Sequence, residues 1–364
     1  MTELLTIGIT GSYGKTSTKE ILAEILSRKF KTFKTLKHQN TDPVVAQYMV
    51  DELDESYQVF VAEMGAYFRG GIKSACDFVQ PKIGIIAGIN QQHLALFGSM
   101  ENLISAEGGE ELIESLPLDG LIIFNGENRY CRELYQKTKK PKKLYSLKKG
   151  SADVWAEDIK IGKEGSSFRV VLREGETADF KIKLLGRHNI LNILAAVCAA
   201  KEMGVSLSEV AAACAELPVE FGGMVLKQGV DGLNIIDSGY SSNPDGAMSA
   251  LDFLATFPQK RILVMPCLIE LGQASKEVHR QIGKRIADVC DLAIITTKDK
   301  LKEIQQGAGE VSSAAAVSPP PAEKIIFLEN PQEIAKKIKE FSQPGDVILL
   351  EGRLSKKLIS DLCL

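Results

Sequence analysis

"ITGSYGKTSTKE", Ile9 to Glu20, takes over where the apolar run "LLTIGIT" ends and leads into a helical pattern in which Ile21, Leu22, Ile25 and Leu26 recur at helical spacing. That spacing leaves Lys19, Glu20 and Glu24 on the outer face. A strand that ends at a glycine, turns tightly and becomes a helix aims backbone N–H groups and the positive end of the helix dipole at one point. Such a point is a phosphate cradle. Lys15 is placed to reach the β and γ phosphates of a nucleotide, and the Thr16 hydroxyl to bind Mg²⁺. The strict G-x-x-x-x-G-K-[ST] spacing is not met, because its first glycine would fall at Ile9; the shorter Gly11-x-x-Gly14-Lys15-Thr16 is present. The competing reading is an ordinary glycine turn with a surface lysine.

Beyond this loop, short β-rich apolar runs alternate with longer helical patterns. "YQVFVAEM" precedes "GIKSACDFV", and "KIGIIAGI" precedes "SMENLISAEGGEELIESL" and then "GLIIFNG". The alternation predicts a parallel sheet wrapped by helices. From about Ser151 to Leu185 the texture changes to alternating strands punctuated by glycine, which read as antiparallel hairpins added to that sheet. An Ala-rich helix, "HNILNILAAVCAAKEMG", comes next, and "SLSE" at Ser206 to Glu209 has capping-box spacing. "ELPVEFGG", Glu216 to Gly223, reads as a hinge between residues 1–219 and a second, smaller α/β domain over 220–364 with Rossmann-like alternation. "SSAAAVSPPPAE" within that domain reads as a low-complexity surface loop.

Bulk properties narrow the function classes. A chain of 364 residues with 45% hydrophobic and 25% charged residues has ordinary globular composition and the length of two domains. A net charge of -3 offers no basic field for nucleic acid, and "KKPKKLYSLKK" reads as a solvated loop. No apolar stretch approaches the roughly 20 residues of a membrane span, so the protein reads as cytoplasmic, with no membrane partner. The seven cysteines are scattered without a C-x-x-C pair, as expected of reduced, mostly buried thiols.

Several of these stretches together resemble the Mur ligases. "TGSYGKTSTKE" is similar to the ATP loop of that family. Later segments are similar to its MurF-type members, which join D-Ala-D-Ala to UDP-N-acetylmuramoyl-tripeptide. "VFVAEMGA" resembles their V-x-E-x-G strand end, "QQHLALFGS" their H-L-x-x-F-G-S segment, and "GRHNILNILAA" their G-x-H-N-x-x-N-x-x-A-A helix. "IIDSGYSSNPDGAMSAL" resembles I-I-D-D-S-Y-N-A-N-P, and "ELGQASKEVHRQIG" resembles E-L-G-x-x-S-x-x-x-H-x-x-I-G. The matches keep the family's order from Ile7 to about Gly283.

The resemblance implies an ATP-dependent carboxylate–amine ligase of peptidoglycan precursor synthesis that works through an acyl phosphate. Gly11, Ser12, Gly14, Lys15, Thr16 and Ser17 would hold the triphosphate. Thr16, Glu63 and His93 would hold Mg²⁺, His93 by binding a second ion or orienting its water, unless Glu63 is an exposed strand-end acid and His93 a plain loop histidine. Asn189 and Asn192 would meet the adenine edge, although Asn189 could equally cap its helix. Asp237 would meet the ribose, or merely make an Asx turn. Asn40 and Thr41 in "KHQNTD" would face the carboxylate substrate or form a simple turn. His279 matches the pattern and reads as structural.

Three departures qualify the resemblance. The sequence opens at the ATP loop, without the domain that grips UDP in full-length MurF-type enzymes, so a separate UDP-binding chain is one expectation. The lysine that the family converts to a carbamate is absent from "ISAEGGEELIES"; Glu107, or as second choice Glu110, would supply that charge directly, unless the stretch is a solvated acidic helix face. Gly223 stands where the family has an arginine, and Gly88 where it has an asparagine. Two further readings stay open: a folylpolyglutamate or polyglutamate synthetase-like ligase, and a non-catalytic nucleotide-binding partner subunit.

Overall fold

The computed structural model describes residues 4–36, 40–239, 242–311 and 321–363. Most of the low-complexity stretch after Val311 lies outside these residues, as do Tyr240 and Ser241 of the "SGYSSNP" segment. The chain divides into two compact units, Met1–Phe221 and Gly222–Leu364.

In the first unit, β1 (Leu5–Thr10), β2 (Thr32–Lys34), β3 (Val59–Glu63), β4 (Ile83–Ile86), β5 (Leu121–Asn125), β6 (Lys142–Ser146), β7 (Val154–Gly162), β8 (Gly165–Leu172) and β9 (Thr177–Ile182) form one sheet in the order 2-3-1-4-5-6-7-8-9. The sheet is parallel as far as β7, and β8 and β9 add to it antiparallel. The expected added hairpins are therefore present. "KKPKKLYSLKK" differs from its reading as a loop: Lys142–Ser146 is β6, with Tyr145 buried against the core.

The helices of this unit are α1 (Lys15–Ser27), α2 (Asp42–Glu52), α3 (Gly71–Val79), α4 (Leu94–Phe97), α5 (Met100–Ser105), α6 (Glu110–Ser115), α7 (Arg129–Lys137), α8 (Arg187–Glu202) and α9 (Leu207–Ala215). Ile21, Leu22, Ile25 and Leu26 of α1 pack into one apolar cluster with Ile193, Leu194 and Val197 of α8. Burying such side chains contributes on the order of 2 kcal/mol each, which is enough to fix both helices on the sheet. Ser206 caps α9 through the expected reciprocal pair with Glu209.

Strand register brings three chain segments to one place. In the central strands Ile9 lies opposite Glu63 on one side and Ile85 on the other, so the carboxyl ends of β1, β3 and β4 end side by side. Ligands of parallel α/β sheets bind at such ends.

The second unit has its own sheet, from β10 (Val225–Gln228), β11 (Asn234–Ser238), β12 (Arg261–Met265), β13 (Leu292–Ile295), β14 (Ile325–Phe327) and β15 (Val347–Glu351), ordered 10-11-15-12-13-14. All its pairings are parallel except that of β10 with β11. Its helices are α10 (Pro244–Leu254), α11 (Ser275–Val289), α12 (Leu301–Val311), α13 (Pro331–Phe341) and α14 (Lys356–Leu362). Both units are thus α/β, the first with a mostly parallel sheet. All seven cysteines are free, six of them buried. No described helix is long and apolar enough to cross a membrane.

Candidate functional site

The loop between β1 and α1 turns on two glycines with positive φ, Gly11 at 133° and Gly14 at 79°. A Cβ on Gly11 would lie 2.8 Å from the carbonyl oxygen of Gly88, which accepts a hydrogen bond from the Ser12 N–H at 2.7 Å. The Ser12 hydroxyl donates to the Asn90 carbonyl at 3.3 Å. No side chain caps α1, so its first-turn N–H groups, those of Lys15, Thr16 and Ser17, keep the unmet donors that suit an anion. The Lys15 ammonium folds back to donate to the carbonyl of Gly11 and stands 3.9 Å from Oε1 of Glu107.

Gly88 explains one of the sequence departures. The Tyr13 ring lies where a side chain at position 88 would project, so an asparagine there would displace the phosphate loop. Asn128 donates to the Tyr13 hydroxyl at 3.2 Å and holds the ring in place.

Glu63 ends β3 and is 1% exposed. Its Oε1 accepts from the Thr16 hydroxyl at 3.1 Å and from the Asn40 amide at 2.8 Å. Its Oε2 faces the ammonium of Lys19 at 3.5 Å. Lys19 itself is fully buried, contrary to the outer face that helical spacing gave it.

The stretch expected to be one long helix is broken between α5 and α6, and Glu107 occupies the break. The Gly108 backbone packs against that of Ile104, and Gly109, at φ 102°, abuts the Ile86 side chain, so neither position has room for a Cβ. The Thr10 hydroxyl donates to the Glu107 carbonyl at 2.9 Å. These contacts turn the Glu107 carboxylate inward, 1% exposed, where Oε2 lies 2.6 Å from Nδ1 of His93. The contact pairs a carboxylate oxygen, which accepts, with the tautomer of His93 whose proton is on Nδ1. Neither neighbouring acid shares this place. Glu110 lines a surface depression with Glu101, Tyr130 and Lys137. Glu111 is a structural residue that sequence reasoning left unassigned: it accepts the N–H groups of Gly70 at 2.6 Å and Lys73 at 3.0 Å, at the start of α3.

The remaining expected residues fall in three places. Asn192 lies behind the phosphate loop, accepting from Thr18 at 3.4 Å and donating to Asn189 at 3.1 Å, and a Cβ on Gly14 would come within 3.0 Å of its amide oxygen. Asn189 is fully buried and donates to the Leu185 carbonyl at 2.8 Å; Gly186, not Asn189, is the N-cap of α8. Asn192 thus backs the phosphate loop, and Asn189 holds Asn192 from behind. Asn40 reaches Glu63, while Thr41 is the N-cap of α2 without a side-chain bond. Asp237 lies in the second unit near the end of β11, paired with Lys227 at 2.6 Å and accepting the Gly239 N–H at 3.1 Å, which is an Asx turn. There too, Gly223 has φ 69°, which an arginine would adopt only with strain. His279 is buried, accepting from the Leu268 N–H at 3.0 Å and facing the Ser275 carbonyl at 2.6 Å, and burial holds its pKa below the usual value.

A divalent cation fits part of this arrangement. Among the described residues no three His, Cys, Asp or Glu side chains converge as a metal cage. The structure joins Thr16 to Glu63 and His93 to Glu107. Oε1 of Glu63 meets the Thr16 hydroxyl while its Oε2 faces Lys19, and Oε1 of Glu107 is buried without a hydrogen bond, so each acid turns one carboxylate oxygen toward the loop where a cation could be held. Hard oxygen donors in small number suit Mg²⁺, which commonly takes one or two carboxylates and fills its shell with phosphate oxygens and water.

Two family models match. The Mur ligase middle domain covers residues 9–200, and the Mur ligase, glutamate ligase domain covers residues 224–354. The UDP-N-acetylmuramoyl-tripeptide--D-alanyl-D-alanine ligase of Escherichia coli (strain K12) is 29% identical over 324 residues, spanning 88% of this chain and 69% of that protein. Among solved structures, MurF from Acinetobacter baumannii superposes with a TM-score of 0.86 at 25% identity, covering 98% of this chain and 76% of that one. MurF ligase from Thermotoga maritima, in complex with ADP, superposes with a TM-score of 0.81 at 23% identity, covering 98% and 79%. More than half of the sequence falls within the middle-domain match alone, and this chain belongs to the Mur ligase family.

Proposed function

We propose that this protein is an ATP-dependent ligase of the MurF kind. It would activate the free carboxylate of a UDP-muramoyl tripeptide and join it to D-Ala-D-Ala during peptidoglycan precursor synthesis. The observation that carries this reading is the convergence of Lys15, Thr16, Glu63, His93 and Glu107 around one glycine-hinged loop at the carboxyl ends of β1, β3 and β4. Relatives named for that reaction, aligned over most of the chain, favour it over a folylpolyglutamate-type ligase. A non-catalytic binding subunit would have no need of two buried carboxylates aimed at the loop. The ATP and nucleotide-sugar substrates set the reaction in the cytoplasm.

The chemistry requires positioning and charge neutralisation more than a covalent nucleophile. Transfer of the terminal phosphoryl group to the carboxylate forms an acyl phosphate and ADP. The amine then attacks the carbonyl carbon, and inorganic phosphate leaves. The loop N–H groups and the Lys15 ammonium bind the triphosphate. Thr16 and Glu63 would hold Mg²⁺, which when bound offsets negative charge on the phosphates. Glu107 fixes the tautomer and tilt of His93. Its carboxylate would stand in for the carbamate that the family carries on lysine.

The test is ADP formation with pairs of substrates. UDP-N-acetylmuramoyl-tripeptide with D-Ala-D-Ala should give ADP and phosphate only when both are present. ADP formed instead with a folate or glutamyl chain and glutamate would overturn the assignment.

A further inference from the structure

Lys19 is a buried charge that the phosphate-binding reading does not use. It lies one helical turn beyond Lys15 on α1, is fully buried, and sits between two carboxylates: Oε1 of Glu20 at 3.0 Å and Oε2 of Glu63 at 3.5 Å. Glu20 in turn holds Lys34 at the protein surface. Charges therefore alternate from Lys34 through Glu20 and Lys19 to Glu63, ending at the acid beside the phosphate loop.

Packing alone does not account for a lysine here. Removing an ammonium group from water is costly, and apolar residues of similar volume in place of a buried ion pair are often as stable or more so. The geometry gives the charge another use. Glu63 has two inequivalent oxygens: Oε1 accepts from Thr16 and Asn40, while Oε2 has no hydrogen bond and faces Lys19. Attraction at the rear oxygen resists rotation of the carboxylate, so the edge bearing Oε1 stays turned to the Thr16 hydroxyl. We infer that Lys19 is a positioning residue for the nucleotide-bound divalent cation, acting through Glu63 by fixing which carboxylate edge faces the phosphate loop. This rests on the ligase reading only in taking Glu63 as the metal-holding acid. Partners behind a metal-holding acid commonly change metal affinity 10- to 100-fold when removed.

The experiment measures Mn²⁺ binding by electron paramagnetic resonance on the full chain with saturating ADP, for wild type, Lys19→Met and Lys19→Arg. Wild type should bind Mn²⁺ in a nucleotide-dependent manner. Lys19→Met should weaken that binding about 10- to 100-fold, with ADP affinity in the absence of metal unchanged, and Lys19→Arg should recover most of the loss. If Lys19→Met does not fold, Lys19→Gln, which keeps a donor and much of the volume, takes its place and should show the same direction. A folded Met or Gln variant that binds Mn²⁺ as wild type does overturns the role of Lys19 and leaves the ligase reading intact. Absence of nucleotide-dependent Mn²⁺ binding in wild type overturns both.

Discussion

Glu107 meets His93 at 2.6 Å from inside a break between two helices, a break held open by Gly108 and Gly109, neither of which has room for a Cβ. The same carboxylate stands 3.9 Å from the Lys15 ammonium, so one acid links the phosphate-loop lysine to the histidine that comes after β4. Its charge, more than its size, is what this position supplies.

Glu107→Gln should therefore keep the fold and lower turnover about 100-fold, because His93 loses the group that orients its ring. The Mg²⁺ concentration giving half-maximal turnover should also rise. Titration of activity with Mg²⁺ checks this; an unchanged Mg²⁺ dependence would remove Glu107 from the site.

Gly88→Ala should push the Tyr13 ring out of its place and move the phosphate loop with it. We expect a stability loss of about 1–3 kcal/mol and weaker ATP binding. Adding Tyr13→Ala should restore part of both. If Gly88→Ala melts and binds ATP as wild type does, the ring contact has no bearing on the loop.

Glu111→Ala should cost about 1 kcal/mol, since two N–H groups at the start of α3 lose their acceptor. Turnover should change little. Chemical denaturation of the full chain measures the loss, and a large fall in turnover would place Glu111 in the site instead.

Glu351 gives the second unit a pH dependence. It ends β15, 1% exposed, and burial pushes its pKa up to about 8 from an ordinary 4.5, against a smaller lowering by the nearby Ser238 hydroxyl, which closes no hydrogen bond of good geometry with it. Between these two values the unfolded chain has released the proton and the folded chain has kept it. Stability contributed here is therefore lost as pH rises from about 4.5 to about 8, at up to roughly 1.4 kcal/mol per pH unit. Glu351→Gln should flatten the dependence and raise the melting temperature at pH 8. Hydrogen exchange of the β15 amides at pH 5 and pH 8 locates the effect; a slope that survives the substitution contradicts it.

The strand, loop and helix around Lys15 were legible because glycine spacing and apolar periodicity are local signals, and the order of the later motifs carried the family. Glu63 and His93 were singled out by the resemblance of their segments to family motifs, and the strand register shows why they come to one place. The burial of Lys19 was not legible: helical spacing assigns a face but cannot see that Glu63, forty-four residues later, comes within 3.5 Å of it. The acidic stretch read as one helical pattern because apolar periodicity is local, whereas the contacts that require Gly108 and Gly109 come from Ile104 and Ile86. Asn189 and Asn192 share a face as their spacing foretold, but only the packing of α8 beneath the loop shows that their amides bond to protein groups.

The central claim is that the glycine-hinged loop, with Lys15, binds the phosphates of ATP. Isothermal titration calorimetry of the full chain with ATP and Mg²⁺ tests it most directly. The account predicts saturable binding at one site, weakened at least 10-fold in Lys15→Ala. No heat of binding in wild type, or equal affinity in the alanine variant, would contradict it.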